Sequence, residues 1–258
     1  MSYTVDFAVR IQRHVRALAL QSPNHVVVGP FLIRYSPDWS TPYANYAIPE
    51  QDAEPTERQV RDLVEAFEER DRLPRLEYLP AWAPAVEPAL LAAGFAVENR
   101  VPLLACTADD LVVPGPVPGL AISVPENEDE FWALARVQHT AYGEEGEPGD
   151  GELGWLRWTV HGGGAVALAR VDGEPAGGGA ASISAEGLSE LAGIAVADRY
   201  RRRGVGAAVS AVLTATALEH QRDAVWLEPA EESVERMYAR IGYRRVTEKL
   251  NISLPHQR

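Results

Sequence analysis

Only one cysteine, Cys106, occurs in 258 residues, so the chain has neither an internal disulfide framework nor a cysteine-based zinc site. No run of about 18 apolar residues is present, which excludes a helical membrane span. The opening residues Met-Ser-Tyr-Thr-Val-Asp-Phe lack a basic segment followed by an apolar one, and no secretory leader is expected. Positive charge is also in deficit: 24 Lys and Arg stand against 37 Asp and Glu, a net charge of −13. Non-specific nucleic-acid binding rests on a basic surface, and this balance argues against it. These absences predict a cytoplasmic protein with no structural metal, no membrane partner and no nucleic-acid partner. The acidic balance serves solubility and also permits a cationic substrate such as a small amine.

What remains is an ordinary globular composition, 46% hydrophobic and 24% charged, in a length that suits one large or two small domains. The basic residues are dispersed except at Arg199 and Arg201, Arg202 and Arg203. Just before them, residues 191–197 form an apolar run that reads as a buried strand. Just after them, Val205, Val209, Val212, Leu213 and Thr216 recur at helical spacing, so a helix starts at or near Gly204. The first turn of a helix has unpaired N–H groups and the positive end of the macrodipole, and Gly204 and Gly206 let a bulky anion approach the backbone. The pattern is a phosphate cradle. It has no Lys-Ser/Thr pair after the glycines, as a P-loop needs, and no further spaced glycine, as the dinucleotide fingerprint needs.

Downstream, residues 224–229 read as a strand and 231–241 as a helix with Val234, Tyr238 and Ile241 on one face. Gly242 stops that helix, and strands follow at 243–246 and 249–254. Arg201-x-x-Gly204-x-Gly206 after a strand, then strand, short helix with a tyrosine, and Gly242-Tyr243, resembles the GNAT superfamily of N-acetyltransferases over roughly residues 120–254. The resemblance implies acetyl-CoA as co-substrate, with the pyrophosphate on Arg201, Arg202, Arg203, Gly204, Val205, Gly206 and Ala207. It implies that the pantetheine arm lies along Ile194, Ala195 and Val196, and that a main-chain N–H near Ile194 or Ala195 polarises the thioester carbonyl. Tyr238 matches the family tyrosine that protonates the leaving thiolate, against the simpler reading of a core aromatic. Glu190, at the start of the strand, is the candidate general base, acting through water, with Glu228 as runner-up; a solvated strand-end glutamate is the alternative reading. His161 reads as a helix-end residue. Glu231 departs from the asparagine that the family commonly has seven residues before the tyrosine.

Towards the N-terminus, residues 4–21 carry Val5, Ala8, Ile11, Val15 and Leu18 at the spacing of an amphipathic helix. Residues 26–35 are β-rich with a bulge or break at Pro30, 43–48 form a second strand, and 56–70 a helix with Val60, Leu63, Val64 and Phe67 inward. A strand at 75–79, a helix at 85–93, Gly94-Phe95 and a strand at 96–105 repeat the order of the C-terminal half. Leu79 stands as far from Gly94-Phe95 as Leu227 from Gly242-Tyr243, with Pro80 and Pro229 closing the strands and Leu90 in place of Tyr238. This predicts an α/β protein of two GNAT-like domains, each a mixed, mostly antiparallel sheet flanked by helices. The first, 1–113, is degenerate and lacks the phosphate motif; 114–119, with Pro114, Pro116 and Pro118, is a linker; 120–258 is catalytic.

Within that second domain a strand at 120–124, helices at 126–142 and 153–161, and a hairpin turning at Asp172-Gly173 are expected. Gly177, Gly178 and Gly179 in one strand point either to a close approach by some group or to a bulge under a large neighbour, such as Trp155 or Trp158. The expected activity is acetyl transfer from acetyl-CoA to an amine of a small molecule or peptide. A non-catalytic acyl-CoA-binding or regulatory protein, or a transferase of a longer acyl group, are the alternatives, and the oligomeric state is left open.

Overall fold

A computed structural model describes residues 3–220 and 222–255, apart from the side chains of residues 3–6 and 232. Its contacts divide the chain into two units, Met1–Leu103 with Val246–Arg258, and Leu104–Arg245. Among the described residues no helix is long and apolar enough to cross a membrane.

In the first unit, α1 (Tyr3–Gln21) buries Phe7, Ile11 and Leu18, one turn and then two turns apart, and sets Ala19 against Leu32, Tyr46 and Ile48. Val5, expected on the same face, lies outside the described side chains. The β-rich stretch after α1 is a hairpin, β1 (His25–Val28) and β2 (Phe31–Arg34), rather than one bulged strand. Gly29 has φ of +54° at the first position of the two-residue turn, a conformation that glycine adopts without strain, and Pro30 occupies the second. β2 pairs antiparallel with β3 (Tyr46–Pro49), which starts later than expected because residues 42–44 form a 3₁₀ turn. α2 (Glu57–Glu68), capped by Thr56 and Gln59 in a reciprocal box, leads to β4 (Arg75–Tyr78), parallel to β3. α3 (Val86–Ala92) and the first part of β5 (Ala96–Cys106) follow.

In the second unit β6 (Leu120–Ser123), α4 (Glu128–Ala141) and α5 (Asp150–His161) precede the hairpin of β7 (Ala165–Val171) and β8 (Glu174–Ala181). β9 (Leu188–Val196), α6 (Val205–Glu219), β10 (Ala224–Leu227) and α7 (Glu232–Arg240) complete it. β6 to β9 pair antiparallel in order, β9 pairs parallel with β10, and β10 pairs antiparallel with Leu104–Cys106, the end of β5. Alternation along β7 explains the layers: Val166 and Leu168 pack with α4 and α5, whereas Ala167, Ala169 and Val171 pack with α6 and α7. This is the expected mixed, mostly antiparallel sheet with helices on both faces.

The units do not coincide with the halves of the sequence. The last strand, β11 (Arg244–Ser253), sets Leu250–Ser253 antiparallel to Tyr78–Arg75 in the first unit, while the end of β5 serves the second. The stretch 114–119 has no regular structure and falls within the second unit, where Val117 packs on the core of α6 and α7. Periodicity marks a strand but not its neighbour, so sequence could not assign these exchanges. The repeated strand–helix–strand order does recur in detail. Gly94 and Gly242 have φ of +91° and +105°, and Phe95 N–H and Tyr243 N–H each donate, at 3.1 Å, to the carbonyls of Leu90 and Tyr238.

Candidate active site

The sheet of the second unit opens along β9. Its parallel register with β10 covers Leu188, Ser189 and Glu190 against Ala224, Val225 and Trp226, and ends there, leaving residues 191–196 without a β10 partner. On the other edge, Ala180 faces Ala192 but Gly178 faces Ala195, so β9 fits three steps against two of β8. That is a β-bulge, and it is centred on Gly193, whose φ of +63° few other residues adopt. Gly177, Gly178 and Gly179 are explained by their own surroundings. A Cβ would lie 2.7 Å from the Ala195 carbonyl oxygen, 2.2 Å from Leu134 Cδ1 and 2.3 Å from Ile194 Cδ1, respectively. The close neighbours are thus β7, β9 and α4, not a tryptophan; Trp155 instead comes within 3.4 Å of the Cβ position at Gly193.

β9 runs out directly at the start of α6. Gly204, at φ of +87°, is its N-cap, and the first intrahelical bond runs from Ala208 N–H to the Gly204 carbonyl, so the N–H groups of Val205, Gly206 and Ala207 have no partner within the helix. A Cβ at Gly206 would sit at ordinary contact distance, 3.4 Å, from Met237 Sδ and Val196 Cγ2, which ties α6 to α7 and to the end of β9. The three arginines diverge. Arg201 turns back, donating to the Val196 and Ala141 carbonyls at 3.2 and 3.3 Å and pairing with Asp198 at 3.0 Å. Arg202 has φ of +59°, and Arg203 stacks on Tyr200 together with Arg199.

Tyr238 is buried beneath this opening, in one apolar cluster with Ile194, Val196, Val205 and Ala207. Its ring meets Tyr243 edge-on at 5.5 Å. Burial pushes its phenol well above the usual tyrosine range, and Ser210, near it but outside full hydrogen-bond geometry, offsets part of that shift. The phenol is therefore a protonated donor at neutral pH. Glu190 stands at the fork where β9 and β10 part, its N–H bound to Ser182 Oγ at 2.8 Å. Four strand residues span about 13 Å, which separates the main chain of Glu190 from that of Ile194. Glu228 follows the end of β10, half-buried. His161 Nδ1 binds the Arg157 carbonyl at 2.7 Å in the last turn of α5, the helix-end role. Glu231 is the N-cap of α7 without bonding a helix N–H; it accepts instead from Ser233 Oγ.

The last turns of α4 supply residues that sequence reasoning missed. Gln138 Nε2 donates to the Gly193 carbonyl at 2.7 Å, and Tyr142 Oη donates to the Ile194 carbonyl at 3.4 Å. The signal available was Gly193 itself, a glycine inside a strand already predicted to carry the reacting group. His139, between them in sequence, points to the following loop and the first turn of α5: Nε2 lies 3.2 Å from the Glu145 carbonyl and Nδ1 2.8 Å from Glu152 Oε1. Its hydrogen bond to Glu152 raises its pKa; burial opposes this, and the Glu145 carbonyl and the charges of Glu152 and Glu144 add to it. A raised folded-state value means that the pair stabilises fully below the unfolded pKa of about 6.5 and that this is lost as pH rises through the folded value. Partial solvent screening limits the effect to about 1 kcal/mol. The difference in Tm between wild type and His139→Asn should then shrink by roughly 2–4 °C between pH 6 and 8. An unchanged difference across that range would contradict the charged pair.

Residues 129–243 match the family model described as Acetyltransferase (GNAT) family. No curated protein matches the chain. Among solved structures, "GCN5-related N-acetyltransferase from Kribbella flavida" is 25% identical with a TM-score of 0.79, covering 97% of this chain and 96% of that one. A GCN5-related N-acetyltransferase from Sphaerobacter thermophilus aligns with a TM-score of 0.59 at 17% identity, over 87% of this chain and 76% of that one. A tandem GNAT protein from the clavulanic acid biosynthesis pathway gives 0.58 at 12% identity, over 88% and 80%. The last two likenesses are of fold alone.

Proposed function

We propose, from the premise that this chain is an acyltransferase of the GNAT type, that it transfers an acetyl group from acetyl-CoA to an amine of a small molecule or peptide. The observation that carries the reading is the open edge of β9 beyond Glu190, which leads straight to the free N–H groups at the start of α6. An extended amide-bearing arm fits the edge, and a pyrophosphate fits the helix start. Acetyl-CoA, when bound, supplies the thioester that is cleaved.

The chain's own residues divide the work. Main-chain N–H groups of residues 202–207, with the glycines at 204 and 206, hold the pyrophosphate; Arg202 and Arg203 contribute charge, while Arg201 ties the cradle to β9 and α4. Main-chain N–H groups at Ile194 or Ala195 polarise the thioester carbonyl, and residues 194–196 align the arm. Tyr238 gives its proton to the departing sulfur, and Glu190 takes the proton of the ammonium through water. The acidic chain suits a cationic acceptor, and cytoplasmic acetyl-CoA is its expected supply.

The matching turns at Gly94 and Gly242 support a tandem origin, with 1–113 a degenerate GNAT-like half, 114–119 a linker and 120–258 catalytic. The first half has no counterpart of the phosphate motif, so one CoA per chain is expected. Gly206→Glu tests the site. A Cβ fits there without a clash, so the variant should fold, but its carboxylate enters the cradle, and CoA affinity by calorimetry should fall by roughly tenfold or more. Unchanged affinity in the folded variant, or two CoA per wild-type chain, overturns the assignment. CoA binding without thiol release from acetyl-CoA across an amine panel would favour a binding protein.

A further inference from the structure

The main-chain carbonyls of the bulge in β9 are met by side chains of α4. Gly193 offers its carbonyl to α4, and Gln138 Nε2 donates to it at 2.7 Å. The amide of Gln138 is oriented by this bond, because a carbonyl oxygen can only accept. Tyr142, one turn further along α4, donates its hydroxyl to the next carbonyl, Ile194, at 3.4 Å. Trp155 of α5 closes over Gly193, and Gln138 itself lies only 2.6 Å from where a Cβ would be at that residue. Arg201 joins the same two elements, from the Val196 carbonyl to the Ala141 carbonyl. Four side chains from three elements thus converge on a strand segment whose ladder is interrupted by the bulge.

A trans peptide is planar, with the carbonyl of one residue and the N–H of the next pointing in opposite directions. Fixing the Gly193 carbonyl towards α4 therefore aims the Ile194 N–H away from α4, and fixing the Ile194 carbonyl aims the Ala195 N–H likewise. The side away from α4 and α5 is the one on which α6 and α7 pack and on which Tyr238 lies in the cluster that Ile194 joins. Without the Gln138 bond, Gly193, which is in the left-handed region and has no side chain, could turn its peptide to Ile194 at lower cost than other residues could. A donor that stabilises developing oxyanion charge works by being aimed in advance, so its aim is worth as much as its presence.

We infer that Gln138, assisted by Tyr142, is a positioning residue that aims the bulge N–H groups of β9 at the thioester carbonyl. The inference rests on the acetyl-transfer reading above. It assigns a function to the last turns of α4 beyond packing: the helix sets the polarising power of the site, while the cradle at α6 sets cofactor affinity.

The test uses the full chain and acetyl-CoA carrying ¹³C at the acetyl carbonyl. Gln138→Leu keeps the volume and removes the donor. Its kcat should fall about tenfold to a hundredfold, less than the roughly hundredfold to thousandfold cost of removing an oxyanion donor outright because the N–H groups remain but lose their aim, while the Kd of CoA by calorimetry stays within about threefold. Difference infrared spectra should show the carbonyl stretch of bound acetyl-CoA shifted to low frequency in wild type and returning towards its value in water in the variant. Tyr142→Phe, at an exposed residue that tolerates the change, should move kcat and the stretch in the same direction by a smaller amount, and it decides the matter if Gln138→Leu fails to fold. Wild-type kcat and an unmoved stretch in the folded variants overturn the inference while leaving acetyl transfer intact. A wild-type protein that neither binds nor turns over acetyl-CoA overturns both.

Discussion

Tyr238→Phe should lower kcat by roughly tenfold to a thousandfold while KM for acetyl-CoA stays within a few-fold. The change keeps the ring that packs edge-on against Tyr243 and removes the one proton the side chain gives. Because the ring stays in its cluster, Tm should move little. Burial holds the phenol in its protonated form well beyond the usual tyrosine range, with Ser210 only partly offsetting this. The kcat profile of wild type should accordingly show no loss from phenol ionisation below about pH 10. A folded Tyr238→Phe protein with wild-type kcat would make Tyr238 a core aromatic, and proton delivery would then fall to water or to another group.

The largest expected loss of stability lies in the first unit. Glu77, on β4, is buried and accepts from both Arg75 and Lys249, and Arg75 also meets Glu98 at 3.0 Å. Desolvation acts to raise the Glu77 pKa, but the charges and hydrogen bonds of Lys249 and Arg75 outweigh it and lower the value. Glu77→Ala would leave the buried Arg75 with only the partly exposed Glu98 and take from Lys249 the carboxylate it meets here, at a cost of about 3–5 kcal/mol. For a chain of this size that is a drop in Tm of roughly 6–20 °C. The sign with pH follows from the lowered value: this stability is present above the unfolded carboxylate pKa of about 4.3 and is lost as pH falls through the folded value. Denaturant melts of wild type and Glu77→Ala should therefore differ most near pH 7 and converge in acid. Equal midpoints at pH 7 would show that the cations are hydrated or re-paired once Glu77 is gone.

The sequence by itself determined the elements and the kind of chemistry. Helical spacing after Gly204 located α6, the spacing of Val60, Leu63, Val64 and Phe67 located α2, and glycines at 94 and 242 located two helix ends, because capping and periodicity are local and depend on residues within a turn or two. Charge concentrated at one helix start pointed to an anion cradle for the same reason. Some local readings needed more context: Pro30 closes a hairpin because Gly29 precedes it, and α5 begins at Asp150, three residues early, where Gly149 and Glu152 cap it. Only tertiary structure decided which strands pair across the halves of the sequence, since a strand's pattern gives its faces but not its neighbour. It alone showed that Arg201 folds back on β9, that β9 parts from β10 at Glu190, and that Gln138, fifty-five residues from Gly193, reaches its carbonyl. Contacts made by backbone carbonyls leave no trace in residue type, so the aim of a peptide group becomes legible only when the chain is folded around it.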